Sequence, residues 1–295
     1  MFGQYFGNYL IEKNKISQAE FEDVMMQQQI SRLKLGFIAV AEKLLTTKQA
    51  EEINEIQKKL DRRFGDIAVE KGYLLTEEVT HLLNMQGNSY LKFIQALTEN
   101  NILDIKEIET CLEDFKRDKG FSDSDLEALK SGDIDRIIPV FVDVDVPFSG
   151  DCISLALRNV VRFINNNIRL EKSFKVRKYP FQNLAYQRMV GDHQIFVGFS
   201  GSDKALLSIA GPFAKEEFKD MDEDAFDSVC EFINCSNGLY ASKLSLTDIH
   251  IDMTPPLFDK GKILETNGDI CVVPIIINGE QSDLLVAVND QVGIK

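Results

Sequence analysis

The chain is short of the residues and runs that mark several large classes of protein. Its five cysteines, Cys111, Cys152, Cys230, Cys235 and Cys271, are odd in number and include no C-x-x-C pair. The three histidines, His81, His193 and His250, stand far apart and form no ligand cluster with them. That spacing argues against a structural zinc, and no metal site is expected. Scattered cysteines of this kind read as small buried hydrophobes in a reducing compartment. Glycine and proline, at 18 and 7, are too few for a collagen-like or linker-dominated chain. Long apolar runs are missing as well: CVVPIII at 271–277 falls far short of a membrane span. The first residues, MFGQYFGNYLIEKNK, lack the charged start and apolar core of a signal peptide. A cytoplasmic protein without membrane insertion is expected.

Basic residues are in deficit too. Lys and Arg number 33 against 47 Asp and Glu, a formal charge of −14. Nucleic acid and anionic membranes would repel such a chain, although a local basic patch can still hold a small anion. What is present fits a soluble globular protein: 44% hydrophobic and 27% charged residues over 295 positions, enough for two ordinary domains.

The first third contains a repeat. Gly7, Gly36 and Gly65 are evenly spaced, and Gln28, Gln57 and Gln86 recur at the same interval. Each Gly follows a bulky apolar residue (Phe6, Leu35, Phe64) and precedes a Glu-Lys pair. Then comes a hydroxyl residue placed as a helix N-cap: Ser17, Thr47 and Thr76. Each copy reads as a short helix, a turn and a longer helix ending at Gln. A fourth stretch at 90–116 keeps the apolar rhythm without the Gly or the Gln. The repeat resembles the N-terminal domain of type II secretion and type IV pilus assembly ATPases. The tandem motifs of that family, RLGxxL…G…L…L…Q with their spacer, recur with the period seen here. The third copy, at 63–86, matches best, with Arg63, Gly65, Gly72 and Gln86 in place. The second begins Lys34-Leu35-Gly36 and carries Leu44 near the second Gly position; the first begins YFG and carries Asn14 there. The resemblance implies cyclic di-GMP binding, with Lys34, Gly36, Arg63 and Gly65 from copies two and three as the contacts. Lys and Tyr cannot fully reproduce an Arg that stacks on guanine and makes forked hydrogen bonds. The alternative is a scaffold for docking another protein.

After residue 118 the sequence turns polar and turn-rich, so 119–147 is expected to be a linker, with room for a short helix around Leu126–Lys130, between a helical-repeat domain (1–118) and a second domain (148–295). Within it, IIPVFVDVDVPF at 137–148 alternates from Phe141 onward as an extended segment would, and Asp143 and Asp145 read as a solvated strand face. The second domain begins with a helix at 152–170. Strand-like runs follow at 174–178, 184–189, 194–200 and 204–210, then a long helix from about Glu223 to Leu244. The chain closes on strands at 249–253, 270–277 and 283–288. The connections are too short for helical crossovers, which predicts an α/β sandwich with a mainly antiparallel sheet. The whole is an α+β two-domain chain. Gly-rich phosphate loops and the G-x-S-x-G elbow are absent.

On the long helix, Phe226, Val229, Cys230, Ile233, Asn237, Tyr240 and Leu244 fall on one stripe, and Glu231 and Asn234 project side by side from a neighbouring face. From its exposed face Asn234→Ala is expected to cost within about 0.5 kcal/mol. A second Glu-x-x-Asn, Glu51 to Asn54, reads as a solvated helix face. The segment around the first, IFVGFSGSDKALLSIAGPFA, VCEFINCSNGLYASKL, IHIDMTPPLFDKG and VVPIIINGEQSDLLVAV, resembles the CheX/CheC family of chemotaxis phosphatases over about 148–290. The first helix has Arg162 and Asn165 where two-site members carry a further Glu-x-x-Asn, so the likeness is to one-site, CheX-like members.

That resemblance implies a hydrolase in two-component signalling. Its substrate would be the phospho-aspartate of a response-regulator receiver resembling CheY, which holds its own Mg²⁺. Asn234 would position the attacking water, and Glu231 would pair with a receiver Lys. The domain would need no cofactor of its own, and a homodimer formed by strand exchange is an expectation of the resemblance. A non-catalytic adaptor, or a component of the flagellar-switch type, is the alternative.

Overall fold

Asn14, Lys43, Gly72 and Asn101 share a left-handed backbone, with φ of 54°, 59°, 69° and 54°. They are spaced at the interval of the repeat, and each closes a short helix and turns the chain into a longer one. The computed structural model in which they are seen describes residues 1–60, 62–143 and 148–295. The helices they separate are α1 (Phe2–Glu12) and α2 (Gln18–Ile30), α3 (Leu35–Ala41) and α4 (Thr47–Leu60), α5 (Phe64–Glu70) and α6 (Thr76–Asn84), and α7 (Ser89–Glu99) and α8 (Ile105–Lys119). A further helix, α9 (Asp123–Ser131), follows. Gly72 suits its place because a left-handed residue without a Cβ is unstrained; the other three turns use Asn or Lys.

The caps keep the same interval, at Ser17, Thr46, Leu75 and Asp104. The side chains of Glu20, Gln49, Glu78 and Glu107 accept from those four backbone N–H groups at 2.7, 2.9, 2.7 and 2.8 Å. This corrects the expected caps: Thr47 and Thr76 are the first helical residues, not the caps. The slot matching Gly72 in copy two is Lys43 rather than Leu44. The fourth stretch keeps the turn and cap of the repeat, with Ile94 and Phe115 where the other copies have Gly and Gln.

The chain divides into two compact units, Met1–Gly132 and Asp133–Lys295. The boundary is therefore a point within the expected linker. Of the expected linker, Lys119 ends α8, residues 123–131 form α9, whose Leu126 and Leu129 are buried, and 134–141 form a further helix, α10 (Ile134–Phe141). The apolar start of IIPVFVDVDVPF is helical because Asp133 caps α10, accepting from the Asp135 N–H at 2.9 Å, while Ile137, Ile138 and Phe141 turn inward; residues 144–147, most of the alternating part, lie outside the described residues. Asp143 is exposed and lies outside any strand; Asp145 falls outside the described residues.

In the second unit, α11 (Ser149–Phe163) leads through β1 (Arg169–Leu170) into the long strand β2 (Phe174–Gly191) and β3 (Ile195–Gly201). Helices α12 (Asp203–Ala214) and α13 (Glu223–Ser245) follow, then β4 (Ile251–Met253), β5 (Leu257–Ile277), β6 (Glu280–Val288) and β7 (Val292–Ile294). The sheet order is β1-β5-β6-β3-β2-β4, all pairs antiparallel, and β2 also pairs with β5. That last pairing closes β2, β3, β6 and β5 into a circuit around Phe181, Tyr186, Phe196, Leu264, Val272 and Leu285. Helices α11, α12 and α13 cover the other face. Two expected strands, 174–178 and 184–189, are one strand, and KALLSIA at 204–210 is helical. Ser202 caps α12 by accepting from the Ala205 N–H, and Ala205, Leu206, Ile209 and Ala210 are buried at helical spacing.

Candidate functional site

Helix α13 begins at Asp222, which accepts from the Ala225 N–H at 3.0 Å, with Glu223 and Asp224 favourably placed at the positive helix end. Its inner stripe, Phe226, Val229, Cys230, Ile233, Asn237, Tyr240 and Leu244, is buried as the spacing predicts. Glu231 is exposed and Asn234 half-buried one turn later. The Asn234 Nδ2 lies 3.5 Å from Glu231 Oε2, and the Cys235 thiol 3.5 Å from Glu231 Oε1. Glu231 forms no ion pair among the described residues. Partial burial, and then the Glu231 carboxylate, push the Cys235 thiol up.

The half-burial of Asn234 comes from β2. Successive residues of a strand face opposite sides, so Tyr186 enters the closed circuit of strands while Gln187 faces α13. Gln187 is 1% exposed, and its Nε2 donates to Asn234 Oδ1 at 2.8 Å and to the Thr254 carbonyl at 2.8 Å. Its Oε1 accepts from Asn237 Nδ2 at 2.8 Å. Asn234→Ala therefore leaves a buried donor without its acceptor, and its stability cost rises to about 1–3 kcal/mol rather than the smaller figure an exposed residue implies. Gln187, Asn237 and Thr254 were not singled out as site residues in the sequence. The available signal was a polar residue at a core-facing strand position, between Ala185 and Met189.

On α11 the Arg162–Asn165 spacing makes no second site of this kind. The helix ends at Phe163, and Asn165 turns away to donate to Asn278 Oδ1 at 2.8 Å.

In the first unit, Lys34, Gly36, Arg63 and Gly65 line one cleft of about 1210 Å³, joined by Gln57 and Gln86. The pairs Lys34/Arg63, Gly36/Gly65 and Gln57/Gln86 are each one repeat apart, so copies two and three supply matched walls. Copy four carries Phe115 at the Gln position, its ring 5.7 Å from that of Phe6 in copy one. The Lys34 ammonium pairs with Glu99 at 2.7 Å, whereas Arg63 has no ion pair among the described residues. The glycines pack against the chain itself. A Cβ on Gly36 would lie 2.9 Å from the Phe64 ring, and one on Gly65 2.6 Å from Val79 Cγ1. Glu51 and Asn54 are both exposed.

Residues 184–276, from within β2 to near the end of β5, match the family model described as chemotaxis phosphatase CheX. That span contains Glu231 and Asn234. No curated protein matches the chain significantly. Similar solved structures include a CheC-like superfamily protein from Shewanella sp. PV-4, 17% identical, covering 49% of this chain and 98% of its own, at a TM-score of 0.42. CheX from Vibrio vulnificus is 16% identical over 50% of this chain and 99% of its own, at 0.41. A CheX–CheY–BeF3–Mg²⁺ complex from Borrelia burgdorferi is 18% identical over 49% and 99%, at 0.40. Among the described residues no helix is long and apolar enough to cross a membrane.

Proposed function

We propose that the second unit removes phosphate from the phospho-aspartate of a receiver domain resembling CheY. The observation that carries the reading is the pairing of an exposed Glu231, without an ion partner among the described residues, and a half-buried, anchored Asn234, one helical turn apart, inside the segment that matches the CheX family model. Phosphoryl transfer to water requires in-line placement of the nucleophile and stabilisation of charge more than covalent chemistry from the protein. A carboxamide donates and accepts at once, so Asn234 orients a water without being consumed. Glu231 reaches a lysine of the receiver and fixes the register of docking. The Mg²⁺ belongs to the receiver. Steady-state kinetics on a phosphorylated receiver separate the two roles. Asn234→Ala should abolish turnover, and Glu231→Gln should raise the half-saturating receiver concentration more than it lowers turnover. Equal loss of turnover in Glu231→Gln with unchanged half-saturation would contradict the docking role.

A second reading concerns the first unit. The paired walls of the cleft support a ligand that itself has two similar halves, as cyclic di-GMP does, with Arg63 as its main cationic contact. Calorimetric titration of the full chain tests it: micromolar binding that disappears in Arg63→Ala supports a nucleotide-responsive protein. No heat at near-millimolar ligand leaves a protein-docking scaffold, and with it the adaptor alternative for the chain.

A further inference from the structure

We infer that Gln187 is a positioning residue that dictates which edge of the Asn234 carboxamide meets a docked receiver; the inference rests on the phosphatase reading. An amide's oxygen and nitrogen occupy similar space, so its orientation follows from the partners it must satisfy. The fixed point is the main-chain carbonyl of Thr254, which can only accept. It requires nitrogen at that end of Gln187, and Gln187 Nε2 donates to it at 2.8 Å. The second N–H of the same nitrogen points at Asn234 across 2.8 Å and must find oxygen there. At the other end Gln187 Oε1 needs a donor, and Asn237, a residue 2% exposed, supplies it from Nδ2 at 2.8 Å. Reversing Gln187 would set oxygen against oxygen at Thr254 and nitrogen against nitrogen at Asn237. The orientation thus passes from a backbone carbonyl through one buried side chain to the site.

The outcome is specific. One lone pair of Asn234 Oδ1 is held inward, while Nδ2 and the remaining lone pair are left for the outer face beside Glu231. An amide oxygen that accepts a hydrogen bond also strengthens its own N–H as a donor. The exposed edge can therefore accept from a water and donate to a phosphoryl oxygen together. A swivel of Asn234 would lose that pairing, and a misplacement near 1 Å can cost about 10²-fold in rate.

Two variants of the full chain test the relay. In Gln187→Glu the carboxylate cannot donate to Asn234, whose Nδ2 then turns inward; in Gln187→Met the donor is lost at similar volume. Both should lower kcat at least about tenfold while leaving the half-saturating receiver concentration within about twofold. The accompanying readout is the Asn234 side-chain amide in ¹H–¹⁵N spectra, identified by its loss in Asn234→Asp. In the wild type its protons should exchange readily with solvent, and in Gln187→Glu they should become protected. Folded variants with wild-type kcat, alongside an inactive Asn234→Ala, would overturn the relay and leave the phosphatase reading standing. Should both variants fail to fold, a protected Asn234 amide in the wild type would overturn it and a readily exchanging one would support it. A wild type that turns over no receiver removes the phosphatase reading, and this inference with it.

Discussion

Cys235 follows Asn234 directly and is exposed, whereas Cys111, Cys152 and Cys230 are buried. Burial pushes the Cys152 and Cys230 thiols up to about 12, so they are protected by both access and ionisation. Alkylation at mildly alkaline pH should therefore modify Cys235 before those three. A phosphorylated receiver seated over Glu231 and Asn234 should slow that modification several-fold, read by mass spectrometry. Labelling indifferent to saturating receiver would move the docking face away from α13. At this scale the sequence was readable where a residue sits on a helix surface: the stripe of α13 placed Glu231 and Asn234 on its outer side. It was unreadable where function depends on a partner distant in the chain. Nothing local to Gln187 says that it meets Asn234, 47 positions later.

Among the elements, the repeat separates packing from conformation. At Gly65 a Cβ would stand 2.6 Å from Val79 Cγ1, and Gly65→Ala should destabilise the first unit by about 1–3 kcal/mol through overpacking. A Cβ on Gly72 would meet no described residue beyond its chain neighbours within 4 Å, and the matching slots hold Asn14 and Asn101. Gly72→Asn should then change stability by no more than about 0.5 kcal/mol. Denaturant unfolding of the two variants checks the contrast; equal costs would contradict it. The helical periods of α4, α6 and α13 were legible because their apolar residues recur at three-and-four spacing. Helices α10 and α12 were not, since short apolar runs such as KALLSIA satisfy strand and helix patterns alike until the capping residue is recognised. The continuous strand β5 was half hidden, because its first part, LFDKGKILETNGD, is largely exposed and carries turn residues.

Taken whole, the molecule is two units that meet at Gly132 and Asp133 in sequence. Composition and the change of period indicated two domains but not the division point. The polar stretch after Lys119 allowed a short helix around Leu126–Lys130, and α9 is longer because Ser122 and Asp125 cap each other and Leu126, Ala128 and Leu129 are buried. Lys130 also lies 5.3 Å from the Tyr90 ring of α7. A fragment ending at Gly132 should unfold cooperatively at a higher temperature than one ending at Asp118, since each fully buried leucine lost removes about 1.5–3 kcal/mol. Equal melting temperatures would show that α9 adds nothing to the first unit.

The central claim, that Asn234 on α13 serves hydrolysis of a receiver's phospho-aspartate, is tested most directly by phosphate release. Phosphorylated receivers from the same genome are incubated with the wild-type chain and with Asn234→Ala, and loss of label is followed in time. At least one receiver should lose phosphate faster with the wild type and at its own intrinsic rate with Asn234→Ala, both proteins being folded. If no receiver is accelerated by the wild type, or if Asn234→Ala accelerates it equally, the phosphatase account is contradicted.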